Sequence, residues 1–368
     1  MKTKSYYVGL VLLGFLTWSC SNTDELASSK SLKTSINSSA QELTLAMNAI
    51  TTSAGYQALS TSTETTSPSF SHPQVAAFDS TYSSILLADI SGVYDYKTTE
   101  YRKWSPSLLR FFVRSADNAD MIVNLPKEKV QKPYNLLRYF PKDTVLVNDY
   151  KIDLSKYDYK FNRSLGWDYS MASNINISGV NAGDLKIQSS NHRTNGYHFA
   201  SSFAFASGYI TNTSYTSGDT IISLYNISKE NKTLYEEKYT AIRTSTTSRH
   251  REKEYSLTIG NVQIVRTPGK SSLDSAKVYV GGVLQLHSIV KFIDVTSTSL
   301  NPDSTETSIT NHKRELQITF DDGTSTTIKQ LLGNTIDNIR TLFVSLRQTY
   351  FATGVVDWIA WDIYKNKK

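Results

Sequence analysis

The chain has 368 residues, with 39 basic against 33 acidic side chains and a net charge of +6, an excess too small to call for a nucleic acid as partner. Its single cysteine excludes an internal disulfide framework and a cysteine-rich metal site. A 39% hydrophobic composition can supply a core, and 23 tyrosines against four methionines favour sheet surfaces over a helix bundle.

The N-terminus opens with Lys2 and Lys4, followed by an apolar run from Val8 to Leu16 and then Thr17, Trp18, Ser19 and Cys20. A basic start, a greasy middle and a small residue before the break is the order of an export signal. At about ten residues the run is too short to cross a bilayer, which takes about 20. With Cys20 at the cleavage point, the segment resembles a bacterial lipoprotein signal. That resemblance implies cleavage after residue 19, acylation of Cys20 and attachment to the membrane, the alternative being secretion with a free thiol. Removing residues 1–19 takes away Lys2 and Lys4, and the net charge falls from +6 to +4. Residues 20–31 read as a polar tether. Its acidic pair Asp24 and Glu25 resembles the surface-export signals of some Gram-negative lipoproteins, or is an ordinary solvated linker.

From Leu32 the apolar residues fall at Leu32, Ile36, Leu43, Met47 and Ile50, the spacing of a helix with one greasy stripe. A Ser/Thr-rich linker follows from Thr51 to Ser71, closing a region of helix plus linker over 32–73. Val75, Phe78, Tyr82, Ile85 and Leu86 suggest a second, shorter helix behind Pro73. Residues 74–368 otherwise read as a single antiparallel β domain.

Beyond Asp89 the period switches to two. From Tyr157 to Ile177 the odd positions are mostly apolar and the even ones polar, which predicts a pleated ribbon with one greasy and one wet face over about 20 residues. Tyr197, Phe199, Phe203, Phe205 and Tyr209 share a face in a second run. Shorter runs at 90–97, 108–115, 119–125, 144–152, 184–190, 219–227, 233–244, 254–266, 276–286, 288–295, 314–320 and 324–328 extend the pattern, with Asp322-Gly323 as a hairpin turn. A C-terminal helix over 329–350 carries Leu332, Ile336, Ile339, Phe343, Leu346 and Tyr350 on one stripe. Gly354 would end it, leaving 355–364 as a last strand with Asp357 and Asp362 on opposite faces.

These elements predict a mainly β fold: a large curved antiparallel sheet of long strands, with N-terminal and C-terminal helices packed on its apolar face. In outline that resembles the half-barrel lipoprotein carriers of the bacterial envelope, at the level of fold alone.

Tyr157, Tyr159, Phe161, Trp167 and Tyr169 form a candidate binding face for sugar rings or acyl chains. The bland reading is the core face of the sheet, and burial worth about 1.5–3 kcal/mol per side chain favours it. A lipid-facing barrel is a third reading, opposed by the helical segments and the basic C-terminal end. The six histidines do not gather, no acid/base pair stands out, and Ser288 with Lys291 has a Ser-x-x-Lys spacing without its companion motif. No metal or other cofactor is expected. The basic cluster Arg249, His250, Arg251 and Lys253 reads as a solvated loop between strands or a contact for anionic sugar or lipid heads. Ser80, Thr144, Thr220, Ser275 and Ser304 each follow an aspartate in a pattern that resembles the O-glycosylation sequon of some Gram-negative bacteria, and equally marks strand-entry turns. The functional expectation is a lipid-anchored outer-membrane lipoprotein, facing the periplasm or the outside. It would bind a glycan or lipid ligand or act as a scaffold, with a surface glycan-active enzyme or an adhesin as the alternative.

Overall fold

The computed structural model describes residues 29–60, 82–97, 111–131, 146–244, 250–267, 275–300, 308–320 and 322–367. Helices α1 (Ser29–Thr51) and α2 (Ala54–Ser60) come first, then β1 (Tyr82–Leu86), the short α3 (Leu87–Ile90), β2 (Gly92–Tyr96), β3 (Phe112–Ala116), β4 (Met121–Leu125) and α4 (Lys127–Gln131). A run of ten strands follows: β5 (Tyr150–Asn162), β6 (Gly166–Ile177), β7 (Val180–His192), β8 (Gly196–Ala204), β9 (Tyr209–Ser217), β10 (Thr220–Lys229), β11 (Lys232–Arg243), β12 (Arg251–Ile259), β13 (Val262–Arg266) and β14 (Ser275–Val280). Strands β15 (Val283–Leu284), β16 (Ile289–Leu300), β17 (Ser308–Thr319) and β18 (Ser325–Thr327) complete the sheet, and helices α5 (Ile328–Leu332) and α6 (Thr335–Lys367) close the chain.

Each strand from β5 to β14 pairs antiparallel with the next, a meander that continues through β16, β17 and β18. The free side of β5 is shared. Its C-terminal half takes β1, and its N-terminal half takes β4, which pairs parallel with β2. The expected fold class therefore holds: one large curved antiparallel sheet with helices from both ends of the chain on its apolar face.

Helix α1 buries the whole stripe read from the sequence, Leu32, Ile36, Leu43, Met47 and Ile50, each at 0% exposure. It runs along the turns at one end of the strands. Lys33 Nζ pairs with Asp322 Oδ2 at 2.7 Å beside the β17–β18 turn, and Ser39 Oγ donates to Asn261 Oδ1 at 3.1 Å in the β12–β13 turn. Lys232, next to the β10–β11 turn, reaches Glu42 Oε2 at 2.6 Å. Helix α2 continues the line onto β7, where a Cβ on Gly55 would lie 2.8 Å from the Ala182 carbonyl oxygen, so only glycine permits this approach. One end of the curved sheet is thus closed by helix.

Several local expectations are corrected. Residues 157–177 are pleated except for the turn at 163–165, so they form a hairpin of β5 and β6 instead of one ribbon. Asn162 makes the turn, its side-chain oxygen accepting from the backbone N–H of Ser164 at 2.9 Å and of Leu165 at 3.2 Å. Because Asn162 pairs with Gly166, odd residues face odd residues across the hairpin, and the two-residue period runs through the turn undisturbed. The inward face changes parity inside β5 instead. A bulge between Leu154 and Lys156 moves burial from Tyr150, Ile152 and Leu154 to Tyr157 and Tyr159.

Residues 82–86 of the expected second helix are strand β1, held by β5, and the helical turn comes afterwards as α3. The expected linker contains α2. The run 254–266 is broken at Gly260, whose φ is +58°, into β12 and β13. The largest correction is at the C-terminus. Gly354 does not end the helix, and residues 355–364 are not a strand: α6 is continuous to Lys367. Val355, Val356, Ile359 and Ala360 are all fully buried, a broad helical stripe packed between the sheet and the smaller helices. Glycine inside a helix costs about 1 kcal/mol, less than this burial returns.

Candidate functional site

Register places one inward-facing side chain per strand in continuous rows across the sheet. One row reads Tyr157, Met171, Ile187, Ser201, Thr213, Tyr225, Glu237 and Leu257. The next reads Tyr159, Tyr169, Ser189, Phe199, Tyr215, Ser223, Tyr239 and Tyr255. Helix α6 lies over this face. It starts where Thr335 meets Thr44 of α1 at 3.0 Å, passes Tyr225 with Phe343 (ring centroids 5.2 Å apart), and ends over β5 and β6. There Trp361 meets Tyr159 at 5.0 Å and Tyr169 donates to Asp357 at 2.9 Å.

The helix divides the rows into two flanks. Under its C-terminal half, Tyr157, Tyr159 and Tyr169 are buried. Asp357 is buried with them, and its carboxyl pKa is pushed up to about 7 because burial disfavours the charge, partly offset by its hydrogen bond from Tyr169 and the nearby Tyr157 hydroxyl. The same burial, with the neighbouring carboxylate, raises the phenol pKa values of Tyr157 and Tyr169 well above the usual range. This flank is a closed polar knot in the core. Three of the five residues of the candidate binding face are therefore core, and Phe161 and Trp167 sit half-buried above them.

On β8 to β12 the same rows emerge from under α6. Tyr197, Phe199, Tyr239 and Tyr255 are half-buried, and Tyr215 and Tyr225 are 38% and 40% exposed. Trp167, Tyr197 and Tyr215 form a chain of tilted rings, with centroids 6.2 Å and 6.1 Å apart. Thr213, Ser217 and Ser223 stand between the rings in register, and Glu237 lies in the same row beside Tyr225, accepting from the Tyr235 hydroxyl. Burial first, and Glu237 second, raise the pKa of Tyr255 and Tyr235. The result is an amphipathic trough of aromatic faces interleaved with hydroxyls and one carboxylate. Such a surface offers stacking and hydrogen bonds together, as needed to hold a ring-bearing, hydroxyl-rich molecule.

The other sequence candidates scatter. Cys20, Ser80, Thr144 and Ser304 lie outside the described residues, as does Arg249. Thr220 opens β10 half-buried and Ser275 opens β14. Asp89 accepts from the Leu86 N–H at 2.8 Å as a helix cap, and Asp95 accepts from Asn124 at 2.7 Å. His192 pairs with Asp168 at 2.9 Å. Among the described residues no group of three or more His, Cys, Asp or Glu is placed to hold a metal ion, and no helix is long and apolar enough to cross a membrane.

Sequence reasoning missed Asp357 by reading its segment as strand, although Val356, Ile359 and Ala360 carry helical spacing on from Leu346. It missed Tyr215, Tyr225, Tyr239 and Tyr255 because each lies on a different strand and only cross-strand register assembles them. No family model, curated protein or solved structure matches the chain.

Proposed function

We propose that this chain is an exported lipoprotein, anchored in the outer membrane through acylated Cys20, that binds an oligosaccharide in the trough on the inner face of β8–β12. The observation that carries the reading is the chain of rings from half-buried Trp167 and Tyr197 to exposed Tyr215, with exposed Tyr225 beside it. Burying an aromatic side chain contributes about 1.5–3 kcal/mol, so a row left half in water is a cost that ligand contact would recover. Acyl chains fit the trough less well, since they would strip water from Thr213, Ser223 and Glu237 without replacing its hydrogen bonds.

Titration calorimetry of the full-length protein, in a polyoxyethylene detergent, against a panel of oligosaccharides tests the binding. Tyr215→Ala and Tyr225→Ala should each weaken the best ligand by about ten-fold or more while leaving the fold intact. Equal affinity in both variants rejects the trough. Cleavage of the bound oligosaccharide on long incubation would move the reading to a glycan-active enzyme. The anchor is tested separately: Cys20→Ala should lose radioactive fatty acid label and leave the membrane fraction, and retention of both rejects it.

A further inference from the structure

The basic cluster noted in the sequence is placed at the open end of the trough, and it is sorted by sign. Strand β12 begins Arg251-Glu252-Lys253-Glu254-Tyr255, and strand alternation sends successive side chains to opposite faces. Tyr255 faces inward opposite Tyr239, so Lys253 and Arg251 share the inner face while Glu252 and Glu254 lie on the outer one. Register adds Arg243 opposite Arg251, and Arg266 opposite Tyr255. Four cations therefore border the inner aromatic rows at one end. Asp219 lies on that rim as well, bound to Arg243 at 3.3 Å.

The rim is built and not loose. Arg251 donates to the carbonyl oxygens of Gly218 at 2.7 Å, Asp219 at 2.6 Å and Ala241 at 3.3 Å, which holds its positive charge at the mouth. Lys253 is exposed and has no ion-pair partner among the described residues. Exposed Arg163 and Arg193 mark the same end of the sheet, each directly after the last residue of a strand in a three-residue turn closed by Gly166 or Gly196. With Glu252 and Glu254 turned outward, the inner rim places the exposed ammonium of Lys253 next to stacking surfaces.

We propose that the trough's ligand is an anionic oligosaccharide whose rings lie along the tyrosine row and whose acidic groups sit against Lys253 and Arg243. This rests on the glycan reading of the trough and specifies the ligand's charge. The shared chemistry is an anionic group on a sugar ring, either a carboxylate of a uronic acid or a sulfate ester. An anionic phospholipid surface would meet the same cations, but it would leave the row of rings and hydroxyls unused.

The test compares three probes of similar length on the full-length protein in a polyoxyethylene detergent: an oligogalacturonate, a sulfated galactan oligosaccharide and neutral cello-oligosaccharide. At low salt one acidic probe should bind about ten-fold tighter than the neutral one, and that advantage should shrink between about 50 mM and about 500 mM salt. Which acidic probe wins identifies the anionic group. Lys253→Glu should remove about ten-fold of the acidic affinity and leave neutral binding unchanged, the latter certifying that trough and fold are intact. Equal binding of acidic and neutral probes, or an acidic affinity untouched by Lys253→Glu, overturns the anionic proposal and leaves the glycan reading standing. Failure of all three probes, with binding to phosphatidylglycerol vesicles in their place, overturns both.

Discussion

Two flanks of one sheet face carry the same residue type to opposite ends. Tyr157, Tyr159 and Tyr169 on β5 and β6 are almost wholly buried, whereas Tyr215 and Tyr225 on β9 and β10 stand more than a third exposed in the same rows. The strands are alike in pleat, pairing and alternation. What differs is the path of α6, whose C-terminal half seals the first flank with Trp361 and Asp357 and whose N-terminal half packs Phe343 on Tyr225 while leaving Tyr215 and Tyr225 more than a third exposed. A tyrosine on an inward strand position is therefore core or binding surface according to what lies above it, not according to its own neighbours in sequence.

That contrast can be broken by substitution. The largest effect belongs to the sealed flank: Tyr159→Ala should lose about 3–5 kcal/mol in urea unfolding, since it empties space against Trp361. A loss below about 1 kcal/mol would mean that α6 does not seal this flank. Next comes Asp357→Asn, which preserves an acceptor for Tyr169 and removes the charge.

Because the folded pKa of Asp357 is raised to about 7 from 3.8, the folded state holds a proton that the unfolded chain has released between those values. Its contribution to stability is present at low pH and falls as pH rises from about 4 to about 7, at about 1.4 kcal/mol per pH unit. The Asn variant should lack that slope and gain about 3–4 kcal/mol over the parent at pH 8, with little gain near pH 4. Parallel melting-temperature profiles for the two proteins across that range would contradict the buried carboxyl.

Gly354→Ala is smaller and opposite in sign to most substitutions. The site is helical and a Cβ there meets nothing within 4 Å, so the change should stabilise by about 1 kcal/mol. Destabilisation would restore the break in α6. The smallest stability effect is on the open flank, where Tyr215→Ala should stay within about 0.5 kcal/mol in the same unfolding assay, although it removes ligand affinity. A core-sized loss there would erase the distinction between the flanks.

The amino-acid sequence alone carried the fold class, the α1 stripe and the inward parity of residues 157–177 and 197–205, because these are local periodicities that backbone geometry imposes on any chain. The basic cluster reads as a loop between strands, and its sorting by sign came only when the structure placed Arg251 and Lys253 in β12. The turn at residues 163–165 escaped the pattern because a hairpin that pairs odd with odd leaves the period unbroken. The persistence of α6 past Gly354 escaped it because a short apolar run bounded by glycine looks the same for a buried helix and a buried strand.

Tertiary structure alone decided which tyrosines lie under α6 and which line the trough, and it brought Asp357 to Tyr169 across 188 positions of chain. Periodicity assigns a residue to a face. Coverage of that face is settled by where a distant helix finds the most apolar area to bury, and that depends on every strand at once.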